Sequence, residues 1–245
     1  VVTGIGVITS LGVGKKDNWD ALSAGRSGIH PIRRFPTDDL KTRISGTVDF
    51  LDSSDKGPSA LTYEMAEATA TEALAEAGLG GGDFGGPLFL AAPPVELSWR
   101  DRFDLYRMST EGAGYRRLLT GAVKPEASGY YETTQFGSIA DRLADRFGTR
   151  GLPITLSTAC ASGATAIQLG VEAIRRGEAD RALSIGTDGS ATAEALIRFS
   201  LLSALSMRND APEKASRPFS KDRDGFVLAE GSATLVLESL ESAKA

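Results

Sequence analysis

Leu152-Pro153-Ile154-Thr155-Leu156-Ser157-Thr158-Ala159-Cys160-Ala161-Ser162-Gly163 is the stretch that decides the fold. Leu152 to Leu156 alternates apolar and other side chains, the pattern of a strand. From Ala164 the period changes. Ala164, Ile167, Val171 and Ile174 follow at spacings of three, four and three, the stripe of an amphipathic helix that Gly177 ends. Arg181 to Gly186 suits a second strand. Strand, turn, helix and strand in that order make an α/β unit, and its turn carries Cys160, the only cysteine in 245 residues.

The same alternation of elements extends outward. Val1 to Ile8 suits a strand, and Lys15 to Ala24 a helix carrying Trp19 and Leu22 that Gly25 stops. Ser59 to Ala77 is a second helix with Leu61, Met65 and Ala68 on one face. Gly80-Gly81-Gly82-Asp83-Phe84-Gly85-Gly86 forms a flexible loop before a buried strand from Pro87 to Ala91. Residues from about 93 to 131 lack a clean period, yet Trp99, Phe103, Leu105, Tyr106, Leu118 and Leu119 supply apolar material, so an inserted subdomain is expected there. A helix from about Thr133 repeats Ile139, Leu143 and Phe147 every four residues, and Ala233, Leu235 and Leu237 alternate in a last strand. The chain opens on Val1 inside a strand-like run and closes on a helix-like run from Leu240 to Ala245, so a piece of a longer protein is expected.

Composition narrows the function. Lys and Arg number 27 against 32 Asp and Glu, a net charge of −5, which gives no overall basic field for nucleic acid. No apolar run approaches the roughly 20 residues a bilayer requires, and no leader with a cleavage site is visible. One cysteine excludes an internal disulfide and a multi-cysteine metal site. A cytoplasmic enzyme fits these bounds.

Cys160 is the chemical candidate because of where it falls. The start of a helix exposes unpaired backbone N–H groups and carries roughly half a positive charge, an environment that favours a thiolate. The same N–H groups can bind the oxyanion that forms when an acyl carbon is attacked. Ala159, Ala161, Ser162 and Gly163 are small enough to let a substrate approach. By residue type alone, Cys160 reads as a small buried apolar side chain, and only its placement and small neighbours bring the two readings level.

Further motifs bear on the choice. Thr158-Ala159-Cys160-Ala161-Ser162-Gly163 resembles the nucleophile motif of the β-ketoacyl-acyl carrier protein synthases, the condensing enzymes of fatty-acid and polyketide synthesis. Val2-Thr3-Gly4-Ile5-Gly6 resembles the family's opening strand, and Ala204-Leu205-Ser206-Met207-Arg208-Asn209-Asp210 the segment downstream of its nucleophile. Ser216-Arg217-Pro218-Phe219 and the run Arg223 to Gly231 resemble a further block, in the family's order. The resemblance implies a thiolase-like α/β fold of two similar halves, each with a mixed five-stranded sheet flanked by helices. Residues 1–245 would be the N-terminal half, with an inserted helical or irregular subdomain at about 93–131. The resemblance makes Cys160 the acyl acceptor, with its own backbone N–H as one oxyanion donor. It places Ala159 and Phe199 at the acyl pocket and Arg208 among the residues that dock an acyl carrier protein. It also implies a homodimer, and it implies no metal or redox cofactor, nucleic acid or membrane insertion.

Several positions depart from the family pattern. The family draws two histidines, or a histidine and an asparagine, from its C-terminal half, whereas His30 is the only histidine here. This chain alone is therefore expected to be inactive in condensation and to expose apolar surface. Ser220 stands where aspartate is usual and Ala229 where glycine is usual. Glu64, Glu67, Glu72 and Glu76 occupy a helix whose start is commonly basic, leaving Arg208, Arg116, Arg117 and Lys124 as possible docking cations. Pro93 and Pro94 stiffen a segment, Leu88 to Val95, that is often glycine-rich, which points to an altered acyl-length preference.

Other classes fit less well. Gly4-Ile5-Gly6 after a strand hints at dinucleotide binding, but Thr9 holds the place of the third glycine. No G-x-S-x-G elbow of a serine hydrolase occurs. A thiolase or chalcone-type synthase would share the cysteine, but the arginine–proline–phenylalanine block favours the carrier-protein enzymes. A non-catalytic, chain-length-determining partner subunit is the remaining alternative, opposed by the presence of Cys160.

Overall fold

The computed structural model describes residues 1–52, 57–80, 82–94 and 96–245; Gly81 of the expected glycine loop and Val95 of the expected proline-stiffened segment lie outside them. In chain order the elements are β1 (Val2–Thr9), β2 (Gly12–Val13), α1 (Gly14–Ser23), β3 (His30–Pro31), β4 (Ile44–Ser45) and α2 (Pro58–Glu76). Then come β5 (Leu88–Ala91), α3 (Trp99–Arg107), α4 (Gly114–Ala122), α5 (Ser128–Thr134) and α6 (Ser138–Phe147). The chain continues through β6 (Ile154–Leu156), α7 (Ser162–Arg175), β7 (Arg181–Asp188), α8 (Ala193–Leu201) and β8 (Gly231–Glu238).

One mixed sheet has the order β2-β1-β8-β7-β5-β6. β5 is parallel to β6 and β7, and β8 runs antiparallel to β7 and β1. The expected five strands are present, and the two-residue β2 adds a sixth by folding back on the end of β1. β3 and β4 pair separately as a short ribbon.

The sheet is covered on both faces, which is why β5 is apolar at every position. Leu88 and Leu90 face α2 and α6, where Ala66, Ala70, Ala73, Ile139 and Leu143 complete a core. Phe89 and Ala91 face α7 and meet Ala166 and Ala173. Helix α2 lies directly on β1 because Gly4 and Gly6 carry no side chain. A Cβ at Gly4 would fall 1.9 Å from the Ala73 carbonyl oxygen, and one at Gly6 1.9 Å from that of Thr69.

Two glutamates of α2 serve the free edge of β1. The Val7 N–H donates to Glu72 at 2.9 Å and the Ile5 N–H to Glu76 at 2.8 Å, which satisfies donors that no neighbouring strand takes. Lys15 pairs with Glu76 and, together with the Ile5 N–H, holds its carboxyl below the usual range.

The helix phases differ from the sequence pattern in two places. On α7 the side toward the sheet is Ala166, Gly170 and Ala173, while Ala164 and Ile167 are exposed and Val171 and Ile174 half-buried. Close approach selects the small face: a Cβ at Gly170 would lie 2.7 Å from the Ser184 hydroxyl and 2.8 Å from Leu237. On α1, Asn18 and Ala21 are buried, and Trp19 and Leu22 face outward. The helix expected from Thr133 is broken by the extended Gln135 into α5 and α6, and Ile139, Leu143 and Phe147 of α6 are buried as expected.

The described residues between 93 and 131 include α3, α4 and the start of α5. Ser98 and Asp101 form a reciprocal capping box at the start of α3, with the Asp101 N–H donating to Ser98 Oγ and the Ser98 N–H to the Asp101 carboxylate. Gly121 lets α4 abut α3, since a Cβ there would fall 1.9 Å from the Leu105 carbonyl oxygen. Among the described residues, no helix is long and apolar enough to cross a membrane.

Candidate active site

β6 delivers the chain to a single tight turn, Ala159–Ala161, and α7 leads it away. Ala159 has φ +52°, a left-handed conformation that costs a non-glycine residue about 1–2 kcal/mol. Ser162 helps hold it. The Thr158 N–H donates to Ser162 Oγ at 2.8 Å, and the Ser162 hydroxyl donates to the Ala159 carbonyl at 2.6 Å. Thr165 braces the next turn by donating to the Ala161 carbonyl at 3.0 Å. The strained turn presents Cys160, which is exposed rather than sealed in the core.

Cys160 lines a cavity of about 550 Å³ together with Pro93, Ala159, Gly163, Asp188 and Phe199. Ala159, Cys160 and Phe199, singled out separately in the sequence, are thus brought together. Phe199 projects from α8 and packs edge-on against Phe226, with ring centroids 5.4 Å apart at 79°. Phe226 is fixed in turn by backbone bonds to both sides of Leu205: its N–H donates to Ala204, and its carbonyl accepts from Ser206. The motif blocks around Ala204–Asp210 and Arg223–Gly231 therefore buttress the pocket.

Arg208 is not at the thiol. Its guanidinium donates to the Asp222 carbonyl at 2.7 Å and pairs with the carboxylates of Asp222 at 3.3 Å and Asp224 at 3.4 Å. Arg217 joins from the other side, 2.7 Å from Asp222. Ser220, one of the departures from the expected pattern, donates to Asp222 and is the largest influence holding that carboxyl below its usual range. Burial pushes the Asp224 carboxyl up, but bonds from Ser206 and the Met207 N–H, with Arg208, bring it below its usual range. Ala229, the other departure, places its methyl 3.0 Å from where a Cβ of Gly46 would lie.

The acidic residues of α2 divide among separate tasks. Glu72 and Glu76 serve β1, and Glu67 pairs with Arg146 at 2.9 Å. Of the cations in the insert, Arg117 donates to the Ser109 carbonyl and stacks over Tyr106 at 4.3 Å. His30 sits in the β3–β4 ribbon, its ring nitrogens 3.1 Å from the Pro31 carbonyl and 3.3 Å from that of Thr47, and it does not line the Cys160 cavity.

Three residues near the pocket escaped the sequence pattern. Ser162 counted there only as small, although a hydroxyl at the first helical position after a turn is positioned to bond back to it. Asp188, at the end of β7, lines the cavity and accepts from the Ser190 N–H at 2.9 Å. Glu230 precedes Gly231 and its side chain is 0% exposed. It accepts two bonds of 2.7 Å from Arg34, one of 2.8 Å from the Val48 N–H and one of 3.3 Å from the Ala191 N–H. The aspartate–glycine–phenylalanine block contained it, but its partners are distant in sequence.

Comparison with known proteins bears on the chain as a whole. The family described as "Beta-ketoacyl synthase, N-terminal domain" matches residues 1–83 and 105–243. The 3-oxoacyl-[acyl-carrier-protein] synthase 2 of Vibrio cholerae is 32% identical over the whole chain, which spans 59% of that relative. The tetracenomycin polyketide synthase ketoacyl synthase alpha subunit of Streptomyces glaucescens is 34% identical, and the chain spans 58% of it. Among solved structures, a type II polyketide ketosynthase in complex with its acyl-carrier protein superposes with a TM-score of 0.80 at 30% identity, covering all of this chain and 59% of its own. The ishigamide ketosynthase/chain length factor gives 0.76 at 30% identity, with 100% of this chain and 59% of that one covered.

Proposed function

The chain belongs to the beta-ketoacyl synthase family through its N-terminal domain, and from that premise we propose that Cys160 is the acyl acceptor of a β-ketoacyl-acyl carrier protein synthase. The thiolate attacks the carbonyl carbon of an acyl thioester, a new C–S bond forms at Cys160, and the carrier's thiol leaves with the proton. A malonyl thioester then loses carbon dioxide, and its carbanion attacks the Cys160-bound carbonyl and expels the thiolate. The product is a β-ketoacyl chain two carbons longer, for fatty-acid or polyketide synthesis. Decarboxylation needs donors for a developing enolate oxygen, and in this reading they come from outside residues 1–245, so this N-terminal half is inactive alone.

The observation that carries the reading is the exposed thiol at a strained strand–helix turn, opening on the cavity that Ala159 and Phe199 line. The N–H groups of a helix's first turn have no intrahelical acceptor, and that of Cys160 is the donor for the thioester oxygen. Arg208 belongs to the carrier-docking face in this reading, although two aspartates already share its charge. The protein works in the cytoplasm as a homodimer paired through β6, the edge strand whose Ile154 is 47% exposed.

A non-catalytic partner subunit is the second reading, favoured by a structural neighbour that is a ketosynthase/chain length factor and opposed by the accessible Cys160. Acylation separates the two. The protein expressed from its complete gene is incubated with an acyl-carrier thioester and read by intact mass and peptide mapping. One acyl group on Cys160, lost in Cys160→Ala, is expected; an unlabelled Cys160 would leave the partner-subunit reading.

A further inference from the structure

Two cavities meet at Phe199. One, of about 550 Å³, holds the Cys160 thiol; the other, of about 460 Å³, lies between α8 and the segment that leads into α3. Pro93, Asp188 and Phe199 line both, so Phe199 is shared by the two. Pro94, Leu97, Ala195 and Leu202 give the second chamber apolar walls suited to an alkyl chain.

Helix α8, which sets the place of Phe199, is lightly seated. It has nine residues, of which only Leu196 is buried, while Ile197 and Leu201 are exposed. Among its other attachments are the Thr192 cap, the Phe199–Phe226 contact and Arg198. The Arg198 guanidinium meets both carboxylate oxygens of Glu96 as a fork, with Nη1 2.6 Å from Oε1 and Nη2 on Oε2. Glu96 lies two residues before Ser98, the cap of α3, and Arg102 of α3 approaches it to 3.5 Å. Both members of the fork line the second chamber, so the pair spans it from the inserted helices to the residue next to Phe199.

We infer that Glu96 and Arg198 are specificity-determining residues: their ion pair pins α8 with Phe199 across the passage, confining the acyl group on Cys160 to the first chamber. Releasing the pair opens the second chamber to the far end of a longer saturated chain. Both residues act through Phe199 and touch no reacting atom. The inference rests on the reading of Cys160 as acyl acceptor.

Competition between two acyl donors tests it. The protein expressed from its complete gene is offered equal octanoyl- and tetradecanoyl-pantetheine, and the acyl-enzymes are resolved by intact mass. Wild type is expected to favour octanoyl. Glu96→Gln and Arg198→Ala should each raise the tetradecanoyl share about fivefold, the factor a well-formed surface pair supports. The exchange Glu96→Arg with Arg198→Glu should return it toward wild type, and Phe199→Ala should raise it without further gain from Glu96→Gln. An unchanged ratio in acylated Glu96→Gln and Arg198→Ala, or an undiminished effect of Glu96→Gln on top of Phe199→Ala, overturns the inference alone. A wild-type Cys160 that takes neither acyl group overturns the reading beneath it, and the inference with it.

Discussion

Replacing Glu230 with glutamine should destabilise the protein strongly without changing its shape. The wild-type carboxylate is fully enclosed and accepts four bonds, two from Arg34 and two from backbone N–H groups of Val48 and Ala191. An amide in its place keeps one acceptor oxygen but turns an NH₂ toward donors, and it removes the charge that Arg34 faces. Removing one partner of a buried pair costs about 3–5 kcal/mol. Arg34 keeps Asp49 at 2.8 Å, and its side chain is 20% exposed, so we place the loss near the lower end, about 3 kcal/mol. For a chain of this length that corresponds to a fall in Tm of about 6–12 °C. Equilibrium urea unfolding followed by the fluorescence of Trp19 and Trp99 measures it. The double replacement of Arg34 and Glu230 by methionine should recover most of the loss, because no charge is then stranded. A Glu230→Gln variant within about 1 kcal/mol of wild type would refute the reasoning, since that is the scale of an exposed pair.

Substitutions at three further positions probe the site, the layer beneath it and an open loop. Ser162→Ala removes both hydroxyl bonds that hold the turn at Ala159; stability should fall by about 1–2 kcal/mol and alkylation of Cys160 by iodoacetamide should slow, with Ser162→Thr restoring part of each. Gly6→Ala forces a methyl against the Thr69 carbonyl and should cost about 1–3 kcal/mol or more by thermal unfolding. Gly80→Ala, with open space around it, should stay within about 0.5 kcal/mol of wild type.

Much of the α/β order was legible because period and punctuation agree over most of the chain. Cys160 fell at a strand–helix turn because alternation through Leu156 gives way to a helical stripe, and the structure keeps that order. Phase was harder to read. Ile167 and Trp19 are larger and more apolar than Gly170 and Asn18, yet the latter face inward, because close backbone approach and hydrogen bonding decide there and hydrophobicity does not. The insert looked irregular because its helices are short and strongly charged, although Ser98-Trp99-Arg100-Asp101 carries the signature of a capping box. The Phe199–Phe226 contact and the Glu96–Arg198 and Arg34–Glu230 pairs join residues far apart in the chain, and no local pattern encodes such meetings.

The glutamates that α2 extends to β1 make the two ends of the sheet unequal. With the Ile5 and Val7 donors occupied and β2 folded over the far end of that strand, an incoming chain finds little to pair with there, whereas among the described residues no strand lies on the outer side of β6. A ribbon that can be extended from one side only cannot polymerise. If two copies meet at β6, each uses up its single open margin, and growth stops at a pair with a stoppered terminus at either extremity.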